Sequence, residues 1–391
     1  MLRLAAALAL ALSLAACDSG EGSSLYDPEA ARNAAPVIAS VSPDGVVLAG
    51  VDVVTITGQN FSDRLADNVV VFDDAAGSSA TGTLLSASTT RLEVKVPNLP
   101  NPALRIRVAV VGAQDYSNAV AFPLAPAFVR FGEIGRTEVP FGLAADPDGT
   151  VYVSLSNEGR AAGVVRISPQ GVRDAAPYFN STFTWQALDR VGGRLVGVRL
   201  IRAVFELPEA GNQTLISAFQ PLSLSLAAVA GGADGSVYTG GNAPTIFRTA
   251  PDGSTSQTPF PSAVRALAFA KGTLYAVAAA TAGAPSRVYA LAASADGSLG
   301  APTVVGDLPG GGTAIAVAAD GTLFVGLNRA TDPIVLMGAD GATTPLYPGV
   351  IAGPVTALAY GAGSQLYMVR GASDTGEADI LRIETRTNGA L

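Results

Sequence analysis

From about residue 126 onward the chain alternates short apolar runs with clusters of Gly, Pro and Asp. The clearest unit is Ala145-Asp-Pro-Asp-Gly-Thr-Val-Tyr-Val153, a tight turn followed by an apolar strand. Weaker copies begin at Asp189, Gly232, Ala270, Ala319 and Gly361. Helical repeats would space apolar residues three and four apart. These runs are brief and rich in Val, Leu and Tyr, which is the pattern of strands. With Gly149, Gly193, Gly235, Gly272, Gly321 and Ser364 as register marks, successive copies lie 37 to 49 residues apart. One four-stranded propeller blade has that period.

Each copy carries a further apolar strand that runs into another turn, as at residues 164–171, 245–253 and 333–341. Four strands per unit are expected, with Asp-Gly supplying the positive φ that tight hairpins need. After the third strand of the last unit the sequence reaches Leu391. Ala127-Phe-Val-Arg-Phe-Gly-Glu-Ile134 precedes the first unit and is free to supply the missing fourth strand. That pairing would seal the ring and cover two sheet edges. The expectation is six blades over residues 126–391.

Residues 36–123 have another rhythm. Val53-Val-Thr-Ile-Thr57 and Leu92-Glu-Val-Lys-Val96 alternate as strands with one buried face do. The Pro36…Ser42-Pro43 opening, the Thr55-Ile-Thr-Gly-Gln-Asn-Phe61 centre, Val96-Pro97 and the closing Ser117-Asn-Ala119 resemble an IPT/TIG domain. The resemblance implies an immunoglobulin-like sandwich over this whole stretch, and it implies little about activity. Residues 140–154 resemble NHL-type six-bladed propellers. The second copy departs from that pattern, with Val196 and Gly197 at the aromatic position. The fold class is therefore all-β: an Ig-like β-sandwich followed by a six-bladed β-propeller.

The first residues are of a different kind. Arg3 is followed by an apolar Leu/Ala run over residues 4–16, too short for the roughly 20 residues that span a bilayer. A secretory signal has this form. Leu14-Ala-Ala-Cys17 resembles a bacterial lipobox, which implies a signal peptide of residues 1–16 and a lipid on Cys17, the sole cysteine. Several acyl chains at one residue give stable membrane attachment. Residues 17–35 are small, acidic and polar, as a flexible tether would be. The expected location is the bacterial cell envelope, lipid-anchored; Asp18 fits more than one sorting signal and leaves the leaflet open.

Composition narrows the chemistry. The net charge is −8 with only 14% charged residues, which argues against nucleic acid and against electrostatic binding to anionic lipid. There is no histidine, hence neither the commonest general base nor the usual zinc ligand. No Gly-x-Ser-x-Gly or Walker-type loop appears. Carboxylates remain, with or without calcium. Six-bladed lactonases of the gluconolactonase type imply a calcium held by Asp, Glu and Asn in the central tunnel. The residues expected at the tunnel entry are Pro140-Phe-Gly142, Thr184-Trp185, Ser223-Leu-Ser225, Ala263-Val-Arg265, Gly312-Thr-Ala314 and Pro354-Val-Thr356, none of them a carboxylate. No catalytic residue, metal ligand or cofactor is expected on this reading. The Asp-Gly turns lack the later oxygen ligands of a calcium loop and read as turn chemistry.

One cluster remains. The loop after each second strand falls on a single face of the propeller and carries Ser156, Asn157, Arg199, Asn242, Asn328, Arg329 and Arg370. Trp185 and Arg265 are expected to enter the tunnel from that face. Such a mouth could grip an anionic or carbohydrate ligand, or a partner's peptide; wet loops are also polar for no further reason. The leading expectation is a non-catalytic binding platform that acts through this face. The alternatives are a carboxylate- or calcium-dependent lactonase- or lyase-like enzyme, and a structural component of an envelope assembly.

Overall fold

The computed structural model describes residues 33–372 and 378–390. The expected signal peptide, Cys17 and most of the expected tether lie outside the described residues. The chain falls into two compact units. The first takes in Val53–Lys95, Ala103–Phe122 and the described residues up to Gly45, and the second holds Val46–Asp52, Val96–Pro102 and the chain from Pro123 on.

In the first unit one sheet orders strands Val37–Ser42, Val53–Gln59, Arg91–Lys95 and Thr83–Ala87, and the other orders Ser79–Thr81, Asn68–Asp73, Arg105–Val110 and Val120–Ala121. Alternation along the strands sends Val54, Ile56, Leu92 and Val94 inward from one sheet. Val70, Phe72, Ile106 and Val108 do the same from the other, and all eight are fully buried. The strands at 79–81 and 83–87 are short and largely exposed, so no apolar alternation announced them. Asn33 donates to the Gly112 carbonyl at 2.9 Å, and Asn60 Nδ2 holds the Ala35 carbonyl at 2.9 Å.

The second unit is a six-bladed propeller. Its inner strands, blades 1 to 6 in turn, are Glu138–Ala145, Ala187–Val191, Leu226–Gly231, Val264–Ala270, Gly312–Val317 and Val355–Tyr360. Each packs on the next, and the sixth packs on the first. The second strands are Val151–Asn157, Arg194–Val198, Val237–Gly241, Thr273–Ala278, Leu323–Leu327 and Gln365–Arg370. Between them stand the expected turns, with Gly149, Gly193, Gly235, Gly272 and Gly321 all at positive φ. The preceding aspartates serve those turns: Asp148, Asp234 and Asp320 each accept the backbone N–H two residues on, at 2.8 to 3.0 Å.

The ring closes as the sequence suggested. Phe128–Arg130 pairs antiparallel with Asp379–Glu384, the third strand of blade 6, and Phe131 N–H continues the ladder to the Ile380 carbonyl at 2.8 Å. Six apolar clusters fill the six gaps between neighbouring blades. The expectation of four strands per blade fails once. Blade 1 has three, Glu138–Ala145, Val151–Asn157 and Arg160–Ile167. Residues 168–184 touch its edge at isolated points, Val164–Phe179 and Ile167–Arg173, with Asp174 N–H on the Arg166 carbonyl at 3.0 Å. Pro169 and Pro177 lack the N–H that a ladder requires. Gly163, at φ +83°, lets the Phe179 carbonyl come within 2.5 Å of where a Cβ would stand.

Candidate functional site

A defect in the inner strands builds the site. In blades 3 to 6 one residue is squeezed out of register with the second strand: Ala227, Arg265, Thr313 and Thr356. In blade 4, for example, Val264 faces Ala278 and Ala266 faces Val277, leaving Arg265 unpaired between them. Blade 1 has its register break between Pro140 and Leu143. Bulges re-aim side chains, and here they turn these residues toward the axis. In blade 2 regular pairing starts at Ala187, and Gln186 N–H donates to the Val198 carbonyl at 2.8 Å. Gln186, Ala227, Arg265, Thr313 and Thr356 thus share the wall of one axial cavity of about 240 Å³.

The floor of that cavity is a ring of six aliphatic side chains, one per inner strand: Leu143, Leu188, Val229, Leu267, Ile315 and Leu358. The same six line a second cavity of about 530 Å³ on the opposite side. All six are buried. They form a waist that separates the central channel into two vestibules. Just above the waist on the loop side, Ala187, Ala228, Ala266, Ala314 and Ala357 keep the upper vestibule open by being small.

The upper vestibule is electrostatically simple. No Asp or Glu lines it, and Arg265 is exposed with no hydrogen-bond or ion-pair partner. Thr313 Oγ1 donates to the Val355 carbonyl at 2.7 Å, and Thr356 Oγ1 to the Val369 carbonyl at 3.3 Å. Their protons are therefore used within the fold, and their lone pairs are what they offer a ligand.

Of the tunnel-entry residues expected from the sequence, Arg265, Thr313, Ala314 and Thr356 line this vestibule; of the loop-face cluster and its two tunnel residues, only Arg265 does. Trp185 does not enter the tunnel. It is fully buried between blades 1 and 2, edge-on to Phe179 and Phe205, with its Nε1–H on Ser181 Oγ at 3.3 Å. Side chains alternate along a strand, so reading the entry one residue early picks the core-facing Trp185 in place of the channel-facing Gln186. Asn157, Asn242, Asn328, Arg329 and Arg370 do stand at or just beyond the ends of second strands, but several have work there already. Asn157 accepts Thr137 Oγ1–H at 2.7 Å. Asn242 accepts Ser225 N–H at 2.9 Å and donates to the Ser223 carbonyl at 3.1 Å. Asn328 is exposed, its N–H on the Gly311 carbonyl at 2.9 Å. Arg329 closes its own loop on the Asp332 carbonyl at 2.9 and 2.6 Å, while Arg370 grips buried Asp379 through two bonds of 2.8 and 2.5 Å.

Arg199 is placed differently again. Its guanidinium lies 3.6 Å from the centre of the Phe183 ring, with Phe205 at 5.1 Å and Trp185 at 5.5 Å. Nε and Nη1 are enclosed without any acceptor, and burial lowers its pKa. It caps the apolar cluster between blades 1 and 2 rather than the channel. The lower vestibule holds a perturbed acid: burial pushes the Asp189 carboxyl up to about 6, although Gly231 N–H at 2.7 Å and Arg190 N–H at 2.8 Å both donate to it.

These two units have counterparts among known proteins. Residues 36–123 match the IPT/TIG domain. The IPT/TIG sandwich and the propeller together resemble a protein of unknown function from Bacteroides thetaiotaomicron. The TM-score is 0.51 at 16% identity, with 92% of this chain and 99% of that one covered. A gluconolactonase from Xanthomonas campestris also resembles the chain, with a TM-score of 0.51 and 17% identity over 66% of this chain and 89% of its own. No curated protein matches the sequence. At such identities the likeness is one of fold.

Calcium is the metal that the lactonase-type propeller raises, and the upper vestibule does not suit it. Calcium takes six to eight oxygens, several of them carboxylate. The wall here offers one amide and two hydroxyls beside a guanidinium. Among the described residues no three of His, Cys, Asp and Glu come together as a metal group.

Proposed function

We propose that the propeller recognises a ligand at its loop face without converting it, in a protein lipid-anchored through Cys17 in the bacterial cell envelope. The observation that carries the reading is the upper vestibule: one unpaired arginine, no carboxylate, and an aliphatic floor. Such a site has a charge to orient a ligand and apolar area to hold it. It has no base, nucleophile or metal set to act on it. The likeness to a gluconolactonase extends to the frame that surrounds the channel, and the residues inside the frame differ in kind from a calcium site.

A screen of organic acids, peptides and carbohydrates, run beside a panel of lactones with and without calcium, tests this. Binding that shields the Gln186, Thr313 and Thr356 backbone from hydrogen exchange and is lost in Arg265→Gln is the expected result. Lactone turnover abolished by chelation would replace this reading with the hydrolase one. For the anchor, Cys17→Ser is expected to move the protein from the membrane to the soluble fraction and to abolish incorporation of labelled fatty acid.

A further inference from the structure

We infer that the upper vestibule is a receptor for a short aliphatic monocarboxylate, with the carboxylate at Arg265 and the hydrocarbon chain on the six-residue floor. The inference rests on the recognition reading above and supplies its ligand class. Charge sets the head group. Arg265 is exposed, lacks any partner and stands in a wall free of acids, within a chain whose net charge is −8. One unneutralised guanidinium matches one negative charge, and its fork suits a carboxylate. A second charge on the ligand would be carried toward an apolar floor with nothing to meet it.

The floor sets the tail. Leu143, Leu188, Val229, Leu267, Ile315 and Leu358 present only aliphatic carbon, and the alanines above them add methyl groups. A sugar would need donors and acceptors along its length, but the polar side chains here are confined to the rim. The cavity is about 240 Å³, so at roughly 30 Å³ per water-sized group it holds about eight such groups. That is the size of an acid of about six to eight carbons. The bulge at residue 265 is the local device: it takes the arginine out of the strand ladder, where it would have faced a neighbour, and leaves it at the rim.

The test is calorimetric titration of the chain carrying Cys17→Ser, which has no acyl groups of its own to fill the site. Butanoate, hexanoate, octanoate and dodecanoate are compared with octan-1-ol. Affinity is expected to rise about threefold to fourfold per added methylene up to octanoate and then to level off. Octan-1-ol should bind at least tenfold more weakly than octanoate. Arg265→Gln should erase that difference and Arg265→Lys should keep most of it, with unchanged thermal unfolding showing that both variants are folded. A tripeptide ending in leucine, as free acid and as amide, forms a second arm. Binding of the tripeptide acid alone, with octanoate silent, overturns the aliphatic acid in favour of a chain terminus. Equal binding of octanoate and octan-1-ol, or no binding by any aliphatic carboxylate, overturns the inference. If a sugar shields the rim while carboxylates do not, the inference falls and the recognition reading stands.

Discussion

Arg199 and Arg370 show how differently two arginines on one rim can be employed. Arg370 neutralises a buried aspartate through a two-pronged bond, whereas Arg199 lies among aromatic rings with two guanidinium nitrogens unanswered. A buried charge without a counter-charge contributes little, because desolvation offsets what the rings return, about 0.5–2 kcal/mol. Arg199→Met is therefore expected to leave stability within about 1 kcal/mol of the parent or to raise it. Arg370→Met should cost about 2–3 kcal/mol, because Asp379 stays buried with a weakened partner set. Urea midpoints of the two variants decide between them. None of this was legible in the chain. The partner of Arg370 arrives from the next strand, and counting from a turn cannot reveal it. The misplacement of Trp185 has the same root, since a shift of one residue exchanges the two faces of a strand.

At the level of strands and turns the sequence was more informative. Asp-Gly and Gly-Thr pairs punctuate the chain because each hairpin needs a positive φ, so the second and third strands of the blades could be placed from composition alone. The bulges could not. Nothing in Val264-Arg265-Ala266 marks an extra residue until the opposing strand is in place to fail to match it. The outer edge of blade 1 was misread for a related reason: its third strand looked like the others, and only the prolines after it disagree. Neighbouring inner strands are tied by Asp189, whose carboxylate accepts the Gly231 N–H across the gap between blades 2 and 3. Its ordinary pKa is 3.8 and in the fold it stands near 6, so the folded protein holds this proton more tightly than the unfolded chain does. The resulting stabilisation, on the order of 3 kcal/mol, is complete below about pH 4 and is lost as the pH rises through 6. Asp189→Asn is expected to flatten that part of the stability profile, as read from denaturant midpoints at pH 4, 5, 6 and 7.

For the propeller as a whole, stability depends on closure. The six inter-blade clusters hold only if the ring stays shut, and the seal is Phe128–Arg130, the outer edge that blade 6 borrows. Phe131 is the pin: buried, it packs on Tyr367 at 4.8 Å between ring centres and belongs to the cluster that joins blades 6 and 1. Phe131→Ala is expected to cost about 3–5 kcal/mol and Phe131→Leu less than about 1.5 kcal/mol. Faster hydrogen exchange should appear first at Ile380 to Ile383, where the borrowed strand lets go.

The aliphatic constriction has a kinetic corollary. Six hydrocarbon side chains line both chambers, so a charged occupant of the Arg265 chamber leaving by the far side would have to cross a ring that offers its head group no polar partner. For such a ligand the loop-side mouth is the cheaper exit, and the aliphatic ring stands between it and Asp189. The two chambers meet at one hydrocarbon ring, and a charged occupant keeps its hydration best by returning through the mouth it entered.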